Sequence, residues 1–191
     1  MATTPALLNA ILRNDSAAVT AILDLDPSLI ETPGIPAGSI EWHNFGPARP
    51  LEVAVRCFDY IHNEFPASGF QYANPEIVEL LVARGANVNA ICTGNYDART
   101  LALPEETAWM AAHPALPLRR SILDQAYMTR SNALRDNERQ NLSEIIQYLE
   151  ANGAVRHYNN QQGGGKRRSR RSKKYRSRSH AKKNRRSTRR H

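Results

Sequence analysis

Lysine is absent from the first 165 residues of this 191-residue chain. All five lysines fall at or after Lys166, and from there to His191 there is no Asp or Glu against 15 Lys and Arg. The preceding part carries eleven arginines against eighteen acids, a net of −7 concealed by an overall charge of +8. This division excludes a uniformly basic nucleic-acid-binding globule and separates an acidic body from a cationic tail. Cysteine is scarce as well. Cys57 and Cys92 form no CxxC pair and are too few for the disulfide framework of a small secreted domain, so a reducing compartment is expected. The first sixteen residues have no basic charge before Arg13 and do not read as a secretory signal. No apolar run approaches the roughly 18 residues of a membrane span, so no membrane partner is expected. The expectation is one modest core in an intracellular chain, nuclear or cytoplasmic.

Signs of catalysis are equally sparse. The Gly165-Lys166 dipeptide is not a phosphate loop, because Asn160 stands where the first glycine is needed and Arg167 where Ser or Thr would bind magnesium. His43, His62, His113 and His157 are scattered, with no pair at metal-ligand spacing. Cys57 and His62 lie five apart without further ligands nearby, and a packed core cysteine is the simpler reading. Glu105-Glu106 are adjacent carboxylates that face different ways on a helix and suit its N-terminal charge. No catalytic, cofactor-binding or metal site is expected, and the chain does not read as an enzyme.

What the chain does contain is an internal repeat. The segment Ile77-Val78-Glu79-Leu80-Leu81-Val82-Ala83-Arg84-Gly85-Ala86-Asn87-Val88-Asn89-Ala90 recurs upstream from Val19 to Thr32 and downstream from Ile145 to Ala154. Each copy places apolar residues at i, i+3 and i+4, one buried stripe on a short helix. Gly85 and Gly153 sit where a helix takes a left-handed C-terminal residue. Asn74-Pro75 supplies a cap and an N1 proline, and Ser143 is expected to cap the third copy. Partner helices are expected at Ala6 to Arg13, Pro50 to Ile61 and Thr107 to His113.

A helix–turn–helix unit followed by Gly-Ala-Asn-Val-Asn-Ala resembles the ankyrin repeat, with its period of about 33 residues and its T-P-L-H-x-A first helix. Arg49-Pro50-Leu51-Glu52-Val53-Ala54 and Thr107-Ala108-Trp109-Met110-Ala111-Ala112 depart from that first-helix motif, leaving its Thr and His hydrogen-bond network incomplete. The resemblance implies an all-α, short and irregular ankyrin-like solenoid of about three helix-turn-helix units over residues 1–158, and the change of composition after Tyr158 adds the expectation of a flexible Asn/Gln/Gly linker at 159–165 and a disordered basic tail at 166–191. The anchors Val19, Ile77 and Ile145 lie 58 and 68 residues apart, so the second and third units carry insertions of about 25 and 35 residues. About ten of each are expected in the loop between units and the rest between the two helices of a unit. A hidden fourth repeat near residue 111 would be broken by Pro114, so Leu118 to Arg135 is read as an added helix.

Ankyrin-like stacks bind proteins through their loop tips and first-helix face, which implies a non-enzymatic protein–protein interaction module. The first enlarged loop holds Trp42, His43 and Phe45, and the second holds Tyr96. Aromatics of this kind dominate interface energetics, and the alternative is that Trp42 and Phe45 fold back to seal the core. The tail offers Lys166, Arg167, Arg168, Arg170, Arg171, Lys173, Lys174, Arg176, Arg178, Lys182, Lys183, Arg185, Arg186, Arg189 and Arg190 as polyanion or nuclear-signal residues. Charge of this density binds polyanions by counterion release without fixed geometry, and its clusters suit a nuclear signal read by importin. Tyr175 alone makes no stacking platform, so sequence-specific readout is not expected. The interspersed serines could carry phosphate and cut this charge. A Gly run before an Arg/Lys/Ser tail, fused to degenerate ankyrin repeats, looks like proteins of large nucleocytoplasmic DNA viruses. That resemblance implies a viral protein acting in a host cell, and an alternative function as a nucleic-acid packaging or virion component. A monomer with no cofactor is expected, with an unidentified protein on the body and nucleic acid or importin on the tail.

Overall fold

Asn74 and Pro75 begin a helix as the sequence requires: the Asn74 side chain accepts from the Glu76 amide, and Pro75 occupies the first helical position, where its missing N–H is no loss. The computed structural model describes residues 2–36, 46–56, 73–93, 103–113, 118–133 and 135–157. Among these are seven α-helices: α1 (Thr4–Leu12), α2 (Ser16–Leu25), α3 (Pro50–Val55), α4 (Pro75–Ala83), α5 (Pro104–Ala112), α6 (Ile122–Asn132) and α7 (Asp136–Ala151). A 3-10 helix, Pro27–Glu31, follows α2. The described residues contain no sheet, only the isolated antiparallel bridges Gly34–Ala48 and Ile91–Ser121. The fold is all-α, and no described helix is long and apolar enough to cross a membrane.

The helices associate in pairs, α1 with α2, α3 with α4 and α6 with α7. The first members pack in the order α1, α3, α6, and the second members in the order α2, α4, α7. One core runs through both rows, from Leu7, Leu8 and Ile11 through Leu51, Val53, Ile77 and Leu81 to Ile122, Leu142, Ile145 and Leu149. Burial of each such side chain contributes about 1.5–3 kcal/mol relative to exposure, so the paired stripes carry the stability.

Helix ends explain the chain's path. After α4, Gly85 adopts φ +93°, its amide donates to Val82 O and that of Ala86 to Leu81 O. Gly153, at φ +82°, closes α7 with the same two bonds, to Glu150 O and Leu149 O. This left-handed closure satisfies carbonyls that the helix leaves open. Pro27 holds the corresponding place after α2, where its ring excludes a left-handed turn. The chain instead continues into the 3-10 helix, with Asp26 accepting from the Ser28 amide.

Four expectations need correction. The helical partner of α7 is α6, not the Thr107 to His113 segment. That segment belongs to α5, which lies within the long connection whose ends are joined by the Ile91–Ser121 bridge. The helix expected over 118–135 is present as α6 but is the partner of α7 rather than an addition, and only residues 133–135 separate the two. Ser143 is not a cap; it lies inside α7 with its hydroxyl donating to Arg139 O at 2.7 Å. The misassigned α6 begins with a capping box, Ser121 Oγ accepting from the Asp124 amide and Asp124 accepting from the Ser121 amide. The expected Pro50 to Ile61 helix begins at Pro50 as α3 but ends at Val55, with Arg56 already extended at ψ 128°; residues from 57 onward lie outside those described.

Candidate interaction surface

The residues singled out by sequence, Trp42, His43, Phe45 and Tyr96 in the loops and Lys166 to Arg190 in the tail, all lie outside the described residues, as do Cys57 and His62. The described body can nevertheless be divided by what its charges do.

In the row of first helices the charges are consumed internally. Every residue from Pro50 to Arg56 is buried, including Glu52 at 0% exposure and Arg56 at 8%. Glu52 accepts from the Arg56 guanidinium at 3.0 Å and, through its other oxygen, from the Thr93 amide at 3.0 Å. Asp124 accepts from the Ser121 hydroxyl, the His157 amide and Arg156 Nε at 2.8–3.0 Å. Glu106 pairs bidentately with Arg120, both distances 2.9 Å, and also accepts from the Leu103 amide. Buried carboxylates engaged in this way hold loops against helices, since losing one partner would strand the other's charge in a poorly solvated interior. Glu105 remains exposed, 4.0 Å from Arg156, and both acids lie in the first turn of α5, the N-terminal-charge arrangement read from sequence. The His113 ring stacks on Trp109 at 4.8 Å and its Nδ1 lies 3.0 Å from Trp109 O, which makes it part of the α5 packing. Most of α6 is buried too, from Ile122 to Ala126, so the first-helix face that the resemblance nominated is covered in α3 and largely covered in α6.

The second-helix row is different. Helix α2 turns Ala17, Thr20, Ala21 and Asp24 outward at i, i+3, i+4 and i+7, while Val19 and Leu23 go to the core. Helix α4 repeats the pattern with Glu76, Glu79, Leu80 and Ala83 outward and Ile77, Val78 and Leu81 inward. These two stripes, with Ser16 and Tyr148, line an open groove of about 710 Å³ that spans α2, α4 and α7. The alanines keep it wide, and among the described residues its lining has three carboxylates and no basic side chain. Arg84 binds Asp24 across the rim at 2.8 Å, while Glu76 and Glu79 form no ion pair among the described residues. The amphipathic repeat was legible in the sequence; that two outward stripes from α2 and α4 would meet was not, because Asp24 and Glu76 are 52 residues apart.

Beyond α7 the stack ends in a polar cluster. The Tyr127 hydroxyl donates to Glu150 at 2.8 Å, and the guanidinium of Arg156 lies over its ring at 4.7 Å. Partial burial first, then the hydrogen bond and negative charge of Glu150, raise the Tyr127 phenol above its usual range. Among the described residues no cluster of three His, Cys, Asp or Glu side chains could hold a metal ion. No protein-family model, curated protein or solved structure matches the chain.

Proposed function

We propose that the chain is a non-enzymatic protein-interaction module. In this reading a short, irregular ankyrin-like stack of three helix pairs presents the binding surface, and the polybasic tail directs the molecule to the nucleus or to nucleic acid. One observation carries the reading of the body: the segments that follow α2, α4 and α7 are tied to one another in series. Glu31 accepts from the Asn87 amide at 2.6 Å; Asn89 then accepts from the Val155 amide at 2.9 Å and donates to Gly153 O at 3.0 Å. Equivalent stretches of successive units bonded in order are what a stacked repeat requires, because each unit alone exposes an apolar face. The enlarged connections are tied likewise, with Arg49 donating to Ile91 O at 2.8 Å and Cys92 to Arg120 O at 2.9 Å. Such anchoring supports loops that carry Trp42, Phe45 and Tyr96 as contact residues.

For the tail, fifteen positive charges without an acid support binding to polyanions and recognition by importin. Affinity capture with the full chain and with residues 1–165, followed by mass spectrometry and a nucleic-acid assay, tests the division. A specific protein retained by both forms is the expected result. Nucleic acid captured by the full chain, with no protein retained by residues 1–165, would favour a packaging role and sink the interaction module.

A further inference from the structure

The groove and the tail have complementary chemistry. The groove spans the second-helix row, is lined by Asp24, Glu76 and Glu79, and has no basic side chain among the described residues that line it. Its width comes from Ala17, Ala21 and Ala83, and its far wall is Tyr148, three residues before the end of α7. The last described residue before the cationic segment, His157, donates its amide to Asp124 in the first turn of α6, the helix paired with α7. Between His157 and Lys166 stand eight residues, three of them the consecutive glycines 163–165. A chain of that length reaches at most about 30 Å, and neighbouring helices pack about 8–10 Å apart, so the tail can lie along the groove from α7 to α2. The body's own charge, −7 against +15, drives the encounter at high effective concentration.

We propose that the α2–α4–α7 groove is the docking site of the chain's own basic tail, residues 166–191. Tail lysines and arginines pair with Glu76 and Glu79 and compete with Arg84 for Asp24, while the small side chains admit an extended backbone. Docking holds the tail away from other polyanions. A segment docked about nine-tenths of the time binds a competing polyanion about tenfold more weakly. This inference does not depend on which polyanion the tail meets in a cell, or on a protein partner for the body.

The distribution of lysine makes the test specific, because every lysine of the protein lies in the tail. Treatment of the full chain with a water-soluble carbodiimide forms zero-length amide bonds between adjacent carboxylates and amines, which peptide mass spectrometry locates. The expected bonds join Lys166, Lys173, Lys174, Lys182 or Lys183 to Asp24, Glu76 or Glu79, with a yield independent of protein concentration and lost at about 1 M salt, where screening acts within about 3 Å. Lysine bonds confined to other carboxylates, or a yield that rises with protein concentration, would overturn the proposal. In parallel, affinity for a fluorescent DNA duplex is compared for the wild type and for D24N/E76Q/E79Q. A variant neutralising Glu105, Asp136 and Glu144, exposed acids outside the groove, gives the same change in net charge. Tightening of about tenfold in the groove variant and under twofold in the control is expected. Equal tightening in both would mean that only net charge matters and that the groove is not the site. Should the tail bind no duplex at all, the cross-links still decide the docking, and the reading of the tail fails separately.

Discussion

The first helices and the outer face of α2 and α4 spend charge in opposite ways. In the first row, Glu52, Asp124 and the neighbouring Glu106 are buried, and each accepts hydrogen bonds from an arginine and a backbone amide. In the second, Glu76 and Glu79 stand in water on an amphipathic helix whose other face is wholly apolar. A carboxylate therefore marks function in neither row by its presence alone. Engaged and buried, it fixes a loop; exposed along a groove, it remains available to a ligand.

The sharpest break of this contrast is to place an unpartnered charge where the rows meet. Leu81, at 0% exposure, faces the core from α4. Leu81→Asp should cost on the order of 3–5 kcal/mol, comparable to the whole stability of a small domain, and abolish the cooperative helical melt followed by circular dichroism. A wild-type melt would contradict the pairing of α4 with α3 and α7.

Next in size is the loss of one buried staple. Glu106→Ala strands Arg120 and should destabilise the α5 connection by about 3 kcal/mol, while the double variant with both residues changed to Met should recover most of that loss. A double-mutant cycle by urea denaturation measures the coupling. Additive losses would mean that the pair does not hold α5.

Removing a tie between units costs less. Asn89→Ala deletes a bond to the Val155 amide and one to Gly153 O, and a decrease of about 1–2 kcal/mol is expected. Hydrogen exchange should show that amides near Val155 lose protection first. The smallest effect belongs to the exposed acids. Glu79→Gln should leave stability within about 0.5 kcal/mol, and a larger loss would return this residue to a structural role.

Reading ahead from sequence succeeded where local rules were decisive. Asn74-Pro75 and Gly85 marked both ends of α4, and Gly153 the end of α7, because capping and left-handed closure depend on single residues. The assignment of α6 went astray for a physical reason. Asp124, Gln125 and Thr129 are buried along with Ile122, Leu123 and Ala126, so this helix is covered on most sides and shows no polar-against-apolar stripe. Its capping box, Ser121 to Asp124, was the signal available. The Glu106–Arg120 staple spans fourteen residues and answers to no helical or strand period, so only the folded chain brings it together. The groove draws on three helices for the same reason, although Asp24 and Glu79 stand as polar positions within the first two copies of the repeat.

If the acidic helical body and the cationic tail have separate tasks, nucleic-acid binding resides in the tail alone and falls steeply with salt. Affinity for two unrelated DNA duplexes should be measured over a range of salt concentrations, using the full chain and a chain lacking Gly163 to His191. Engagement of eight phosphates predicts a log–log slope of about −7, near-equal affinity for both duplexes, and no binding by the shortened protein. Binding retained without the tail, or a preference of more than about tenfold between duplexes, would show that the body itself reads nucleic acid and that the two tasks are not separate.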